Sequence, residues 1–218
     1  MSRVDDPLKA LLGAVSKQLD GALALVSGRP IHHLDELFAP LRVAAAGLHG
    51  VERRDRAGTL HGAAFMDSRL NPVRSTLAAM IHSHPKAFFE EKGRAIAMHF
   101  RQAPELEPQI RRVLLESIAQ LGPSYHIQEG NQVLEIKPSG FSKGTAIKAF
   151  LREQPFAGRT PVFLGDDLTD LDGFRMVEER GGMSIAVGDR VRAQWHLKNP
   201  SAVRKWLQEM TATDSPEG

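Results

Sequence analysis

The chain has 218 residues, 42% hydrophobic and 25% charged, with 28 basic against 26 acidic side chains and a formal net charge of +2. This is the composition of a soluble globular protein, one domain or a core with an inserted lobe, and it offers no dedicated nucleic-acid surface; "ERRDR" at 52–56 reads as a solvated mixed run. No cysteine is present, which excludes disulfides, zinc–thiolate centres and thiol nucleophiles, and no apolar run approaches the ~18 residues of a membrane span. The start "MSRVDDPLKALLG" carries two acids where a signal peptide needs positive charge, so the cytoplasm is the expected compartment.

Leu8, Leu11, Leu12, Val15 and Leu19 recur at helical spacing. "ALALV" (22–26) is a short apolar run suited to a strand covered on both faces, and "SGRP" breaks it before the helical "IHHLDELFAPL". "VAAAGLHG" (43–50) predicts a second buried strand, giving a βαβ rhythm and a parallel, doubly wound sheet. "RDRAGTLHG" (54–62) reads as a hairpin turning at Gly58. A helix from Pro72 to about His82 leads into two strands around a Lys-Gly turn (86–101), a helix over roughly 105–121 and an alternating strand, "NQVLEIKP". The last third resumes the alternation of helices and apolar strands seen at the start. Helix "SKGTAIKAFLRE", strand "TPVFL", helix "LDGFRMVEERGG" and strand "MSIAVG" lead to a final helix capped by Asn199 before Pro200. The pattern predicts a discontinuous α/β core, 1–49 with 139–218, interrupted by an α+β lobe over 50–138.

Candidate chemistry gathers at three strand ends. "FLGDDLTDLDGF" places Asp166, Asp167, Asp170 and Asp172 within seven residues, a like-charge cluster costing about 1 kcal/mol per close pair in water. A helix cap accounts for one of them; a divalent cation accounts for the rest. Ser27 and Gly28, before the helix starting near Pro30, form either a simple cap or an anion cradle, with Arg29 a surface ion-pair partner or a ligand. Lys143 lies in the first turn of its helix, where positive charge opposes the macrodipole unless an anion compensates it. In the lobe, alternation puts Ala97, His99 and Arg101 on one face, with Val133, Glu135 and Lys137 on one face of the neighbouring strand. With Lys92 nearby, that is the wet side of an antiparallel sheet or a surface that recognises hydroxyls.

The segments "ALALVSGRP", "AGLHGVERR", "EEKGRAIAMHFR", "QVLEIKPSGFSKGTAI" and "FLGDDLTDLDGF", in this order, resemble the trehalose-6-phosphate phosphatases of the haloacid-dehalogenase superfamily over roughly residues 8–208. The resemblance implies an α/β fold, a Rossmann-like core with a parallel sheet, and a mobile α+β cap formed by the insertion. It also implies Mg2+-dependent hydrolysis of trehalose 6-phosphate by a monomer whose partner is the small sugar phosphate. On it, Ser27 with Gly28 and Arg29 binds the phosphoryl group, Lys143 neutralises it, and Asp166, Asp167 and Asp170 hold or orient Mg2+. Glu52, Arg54, Lys92, His99 and Glu135 match positions that contact sugar.

Two departures stand out. Leu171 replaces a glutamate usual after "GDDxTD", and the strand ending in Asp-x-Asp-Gly-Thr, whose aspartates are nucleophile and general acid/base, is absent from residues 1–218. Asp5 and Asp6 follow no apolar strand and do not replace it. The expectation is therefore a sequence that begins downstream of that strand by about 20–30 residues, inactive and of low stability as it stands. The rival readings are a phosphatase for another sugar phosphate, such as sucrose phosphate, and a phosphosugar-binding remnant without turnover.

Overall fold

The computed structural model describes residues 4–62, 67–91 and 93–212. They form two compact units, 1–61 with 141–218 and 62–140.

In the first unit, Asp5 caps helix α1 (Asp6–Gln18) by accepting from Leu8 N at 3.0 Å, and it also pairs with Arg204 at 2.8 Å. Strand β1 (Ala24–Val26) runs parallel to β2 (Ala44–Gly47) across helix α2 (Ile31–Phe38). Ala44, Ala45 and Ala46 are fully buried; their small side chains let Ala146 and Phe150 pack on one face and Ile31 and Leu34 on the other. Strands β3 (Glu52–Arg54) and β4 (Leu60–His61) add antiparallel to β2, turning at Gly58 with φ +94°.

After the inserted unit come α5 (Lys143–Phe150), β9 (Val162–Gly165), α6 (Leu171–Glu178), β10 (Met183–Val187), β11 (Trp195–Leu197) and α7 (Pro200–Ala212). Asn199 caps α7 by accepting from Ala202 N at 3.0 Å. Strands β9, β10 and β11 form a second, wholly parallel sheet around Ile147, Phe163, Phe174, Val177 and Ala186. The parallel strands of this unit thus lie in two sheets, β1 with β2 and β9 with β10 and β11.

The spacing predicts the chain's first break after residue 49; it falls after His61 instead. The physical reason is pairing: β3 and β4 hydrogen-bond onto β2, so the hairpin stays with the first unit.

The second unit is an antiparallel sheet with helices on one face. Helix α3 (Asn71–Ser83), strands β5 (Phe88–Glu91) and β6 (Ile96–His99), helix α4 (Glu107–Leu121), and strands β7 (Tyr125–Gly130) and β8 (Val133–Pro138) follow in order. The sheet order is β5-β6-β8-β7. Ile96, Met98, Leu134 and Ile136 meet Val73, Leu77, Ile110 and Leu114 in one core, which is why the strands alternate. Strand β7 is not foreshadowed by the sequence pattern, since "YHIQEG" is mostly polar. Arg101 lies in the turn beyond β6 rather than on its face.

Candidate active site

The site in the first unit begins where β1 ends. Ser27 N donates to Ala46 O at 2.8 Å, and Arg29 N donates to Ser27 Oγ at 3.1 Å, folding the loop back on itself. Ser27 Oγ is only an acceptor in that bond, so its hydroxyl hydrogen can serve a phosphoryl oxygen. Arg29 is exposed. The helix start beyond is partly satisfied already, because Ile31 N donates to Glu52 Oε2 at 2.9 Å. Glu52 therefore satisfies the first helical N–H of α2, whose N-cap is Pro30, within the first unit.

The loop after β2 is wedged against this one. Leu48 and His49 both adopt left-handed backbone, φ 50° and 55°. Conformations of that kind cost non-glycine residues of order 1–3 kcal/mol each, and they collect at functional sites. Leu48 N donates to Arg29 O at 3.1 Å and His49 N to Ser27 O at 3.0 Å. A Cβ on Gly28 would lie 2.6 Å from His49 Nε2, so the ring sits directly against the middle of the Ser27–Arg29 loop. Gly50, at φ +100°, has no room for a Cβ against the carbonyl of Ser142.

Ser142 caps α5 through a capping box with Thr145 and places Lys143 at the first helical position. Lys143 is 8% exposed and Asp170 3%. Lys143 Nζ donates to Asp170 Oδ1 at 2.6 Å, so a carboxylate compensates the charge at the helix start. Asp170 Oδ2 accepts from Asp166 N and Asp167 N, each at 2.9 Å. Both oxygens of Asp170 thus already serve the protein, fixing the acidic loop and the lysine together.

Asp167 caps the 3-10 turn Leu168–Asp170, accepting from Leu168 N at 2.6 Å, and lies 3.6 Å from the Arg190 guanidinium. Asp166 is exposed and enters no ion pair among the described residues. Asp166 and Asp167, adjacent in the chain, offer oxygen donors only, the ligand type that hard cations such as Mg2+ take, though they are not part of the one group of three convergent ligand atoms found among the described residues. Asp172 pairs with Arg175 on the exposed face of α6, and Leu171 is likewise exposed.

A second group able to ligate metal is Asp55, His61 and Glu153, with ligand atoms within 4.8 Å of one another. Its members have protein partners: His61 Nε2 lies 2.8 Å from Asp55 Oδ2, and Arg53 donates to both oxygens of Glu153 at 2.7 and 2.8 Å.

The remaining sequence candidates divide. Arg54 is 3% exposed, pairs with Asp35 at 2.6 Å and donates to Val43 O at 3.1 Å. The Arg54 guanidinium is thus engaged and shielded from solvent, although its partner Asp35 is partly exposed, and this runs against a sugar-contacting role. Lys92 lies outside the described residues. His99 lies in the second unit, stacked on Phe88 at 4.7 Å between centroids, with Nε2 3.2 Å from Glu90 Oε2. Phe88 and Glu90 share the His99 face by register, a cross-strand grouping that no single-strand pattern could reveal. Glu135, on that face opposite Ala97, is 7% exposed, and Lys137 is 3% exposed, so neither stands on a wet surface. Their charges reach His126, whose pKa burial depresses first and Lys137 depresses further, with Glu135 opposing.

A hydroxyl loop and a buried lysine tied to an acidic loop thus lie at strand ends and helix starts of the first unit. Solved structures share the α/β fold: a trehalose-6-phosphate phosphatase related protein has a TM-score of 0.74 and 21% identity, covering 100% of this chain and 91% of that one. The C-terminal domain of the Candida albicans trehalose-6-phosphate phosphatase has a TM-score of 0.74 and 22% identity, covering 95% and 84%. The trehalose-phosphatase family model matches residues 2–205. A trehalose-6-phosphate phosphatase of Escherichia coli K12 is 44% identical over 209 residues, 95% of this chain and 78% of the relative. A probable trehalose-phosphate phosphatase of Sinorhizobium fredii is 42% identical over 200 residues, 91% and 75%. The chain belongs to the trehalose-phosphatase family.

Proposed function

We propose that the protein acts on trehalose 6-phosphate, releasing trehalose and phosphate with the help of Mg2+. The observation that carries this reading is the buried Lys143–Asp170 pair, which joins the start of α5 to the acidic loop after β9. Ser27 donates its hydroxyl hydrogen to a phosphoryl oxygen, and Lys143 supplies positive charge where negative charge is concentrated. Asp166 and Asp167 would hold Mg2+, with Asp170 orienting their backbone; the ion supplies charge neutralisation and polarises the phosphoryl group. His99 and Glu135 of the second unit are assigned to sugar hydroxyls, as is Lys92. Glu52 and Arg54 are assigned to holding α2 and β2 in place.

The experiment is calorimetric titration with trehalose 6-phosphate, sucrose 6-phosphate and glucose 6-phosphate in Mg2+, alongside phosphate release. Preference for trehalose 6-phosphate of about tenfold or more, equivalent to 1.4 kcal/mol, supports the substrate; equal binding of all three refutes it.

A further inference from the structure

Phe88, on the edge strand β5 of the second unit, is 58% exposed, whereas Phe89 and Phe100 pack in or against that unit's core. A single apolar side chain in water needs no explanation, but this ring is held in place. It stacks on His99 with 4.7 Å between centroids and 14° between planes, and His99 Nε2 lies 3.2 Å from Glu90 Oε2. One face of the phenyl ring is taken by the imidazole, so its exposure belongs to the other.

Register extends the arrangement across the sheet. Phe88, His99, Val133 and Gly130 stand side by side on β5, β6, β8 and β7, a row without hydroxyl, amide or carboxylate side chains. The next row on the same face carries Glu90, Glu135 and Gln128. An aromatic and apolar row bordered by hydrogen-bond acceptors matches a pyranose, whose C–H face is apolar and whose hydroxyls radiate from its rim.

Resting on the trehalose 6-phosphate reading, we propose that Phe88 is a specificity-determining residue whose outward ring face stacks on the C–H face of one sugar ring. The contact is with carbon-bound hydrogens, so it asks nothing of the neighbouring carboxylates beyond their place. The competing explanation is structural: Phe88 merely covers His99 and the edge of β5.

Ring shape separates the two. Phe88→Trp and Phe88→Tyr keep a flat aromatic face, Phe88→Leu keeps apolar bulk without one, and Phe88→Ala removes both. The experiment uses the whole chain in Mg2+ and records a thermal melt with calorimetric binding of trehalose 6-phosphate, glucose 6-phosphate and inorganic phosphate. Phe88→Leu and Phe88→Ala are expected to bind trehalose 6-phosphate about fivefold or more weakly, with phosphate unchanged. Phe88→Trp and Phe88→Tyr should stay within about twofold of wild type for both. Unchanged trehalose 6-phosphate affinity in Phe88→Leu and Phe88→Ala would overturn the proposal, as would weakening by every variant together with lower melting. An equal loss of phosphate would place the effect outside sugar recognition and overturn it too. A wild type that binds the two sugar phosphates alike refutes the substrate reading alone, and Phe88→Ala against the phosphate reference still decides the ring's role. A wild type that binds neither sugar phosphate would overturn both.

Discussion

Lys143 Nζ and Asp170 Oδ1 stand 2.6 Å apart, both side chains shielded from water. Two ions so enclosed depend on each other, since removing one leaves the other desolvated and uncompensated. Lys143→Met or Asp170→Asn should each destabilise by about 3–5 kcal/mol in urea unfolding, with the double variant losing less than the sum. Additive losses would show that the two side chains act independently.

Arg54 gives the opposite separation of stability from binding. Its guanidinium serves Asp35 and the Val43 carbonyl within the first unit. Arg54→Met should cost about 1.5–3 kcal/mol in chemical denaturation while leaving trehalose 6-phosphate affinity within about twofold of wild type. A large affinity loss in a variant that remains folded would return Arg54 to the sugar.

The acidic loop should divide by position. Asp166→Asn is expected to weaken Mg2+ binding by about tenfold or more, read by Mn2+ competition, because an exposed carboxylate without an ion pair is the ligand at hand. Asp172→Asn, already partnered by Arg175, should leave it unchanged. Equal losses would refute the division.

Acid should weaken the second unit through His126. Burial, with Lys137, lowers the folded-state pKa below the ordinary imidazole value of about 6.5. The folded form then binds the proton less readily than the unfolded form, so stability is full above that pH and declines as pH falls toward the folded pKa. His126→Gln should flatten the thermal-melt profile as pH falls below about 6.5. A profile identical to wild type would locate the titration elsewhere.

The positions of Ser27, Lys143 and the Asp166–Asp170 loop in the fold are legible in the sequence, because each sits where an apolar strand or a turn gives way to a helix. The helices of both units follow from apolar periodicity, and β8 from strict alternation. What escapes is anything set by pairing between distant segments. Arg54 reads as a ligand until β3 pairs with β2 and buries it. Glu52 gives no sign in the sequence that it reaches Ile31 N, twenty-one positions earlier. His49 lies inside "AGLHGVERR", yet its left-handed backbone and its packing over Gly28 emerge only in the structure.

The bidentate contact between Arg53 and Glu153 joins residues on either side of the insertion, 100 positions apart. Together with the β3–β4 hairpin and the capped start of α5, it holds both stubs of the interruption without help from what lies between them. Chain-closure entropy grows only logarithmically, by about 0.6 kcal/mol for each doubling of length, so the intervening segment can lengthen or shorten at little thermodynamic cost to its host. The first unit is in this sense a socket. The inserted segment can change in length while the contacts that close the first unit stay as they are.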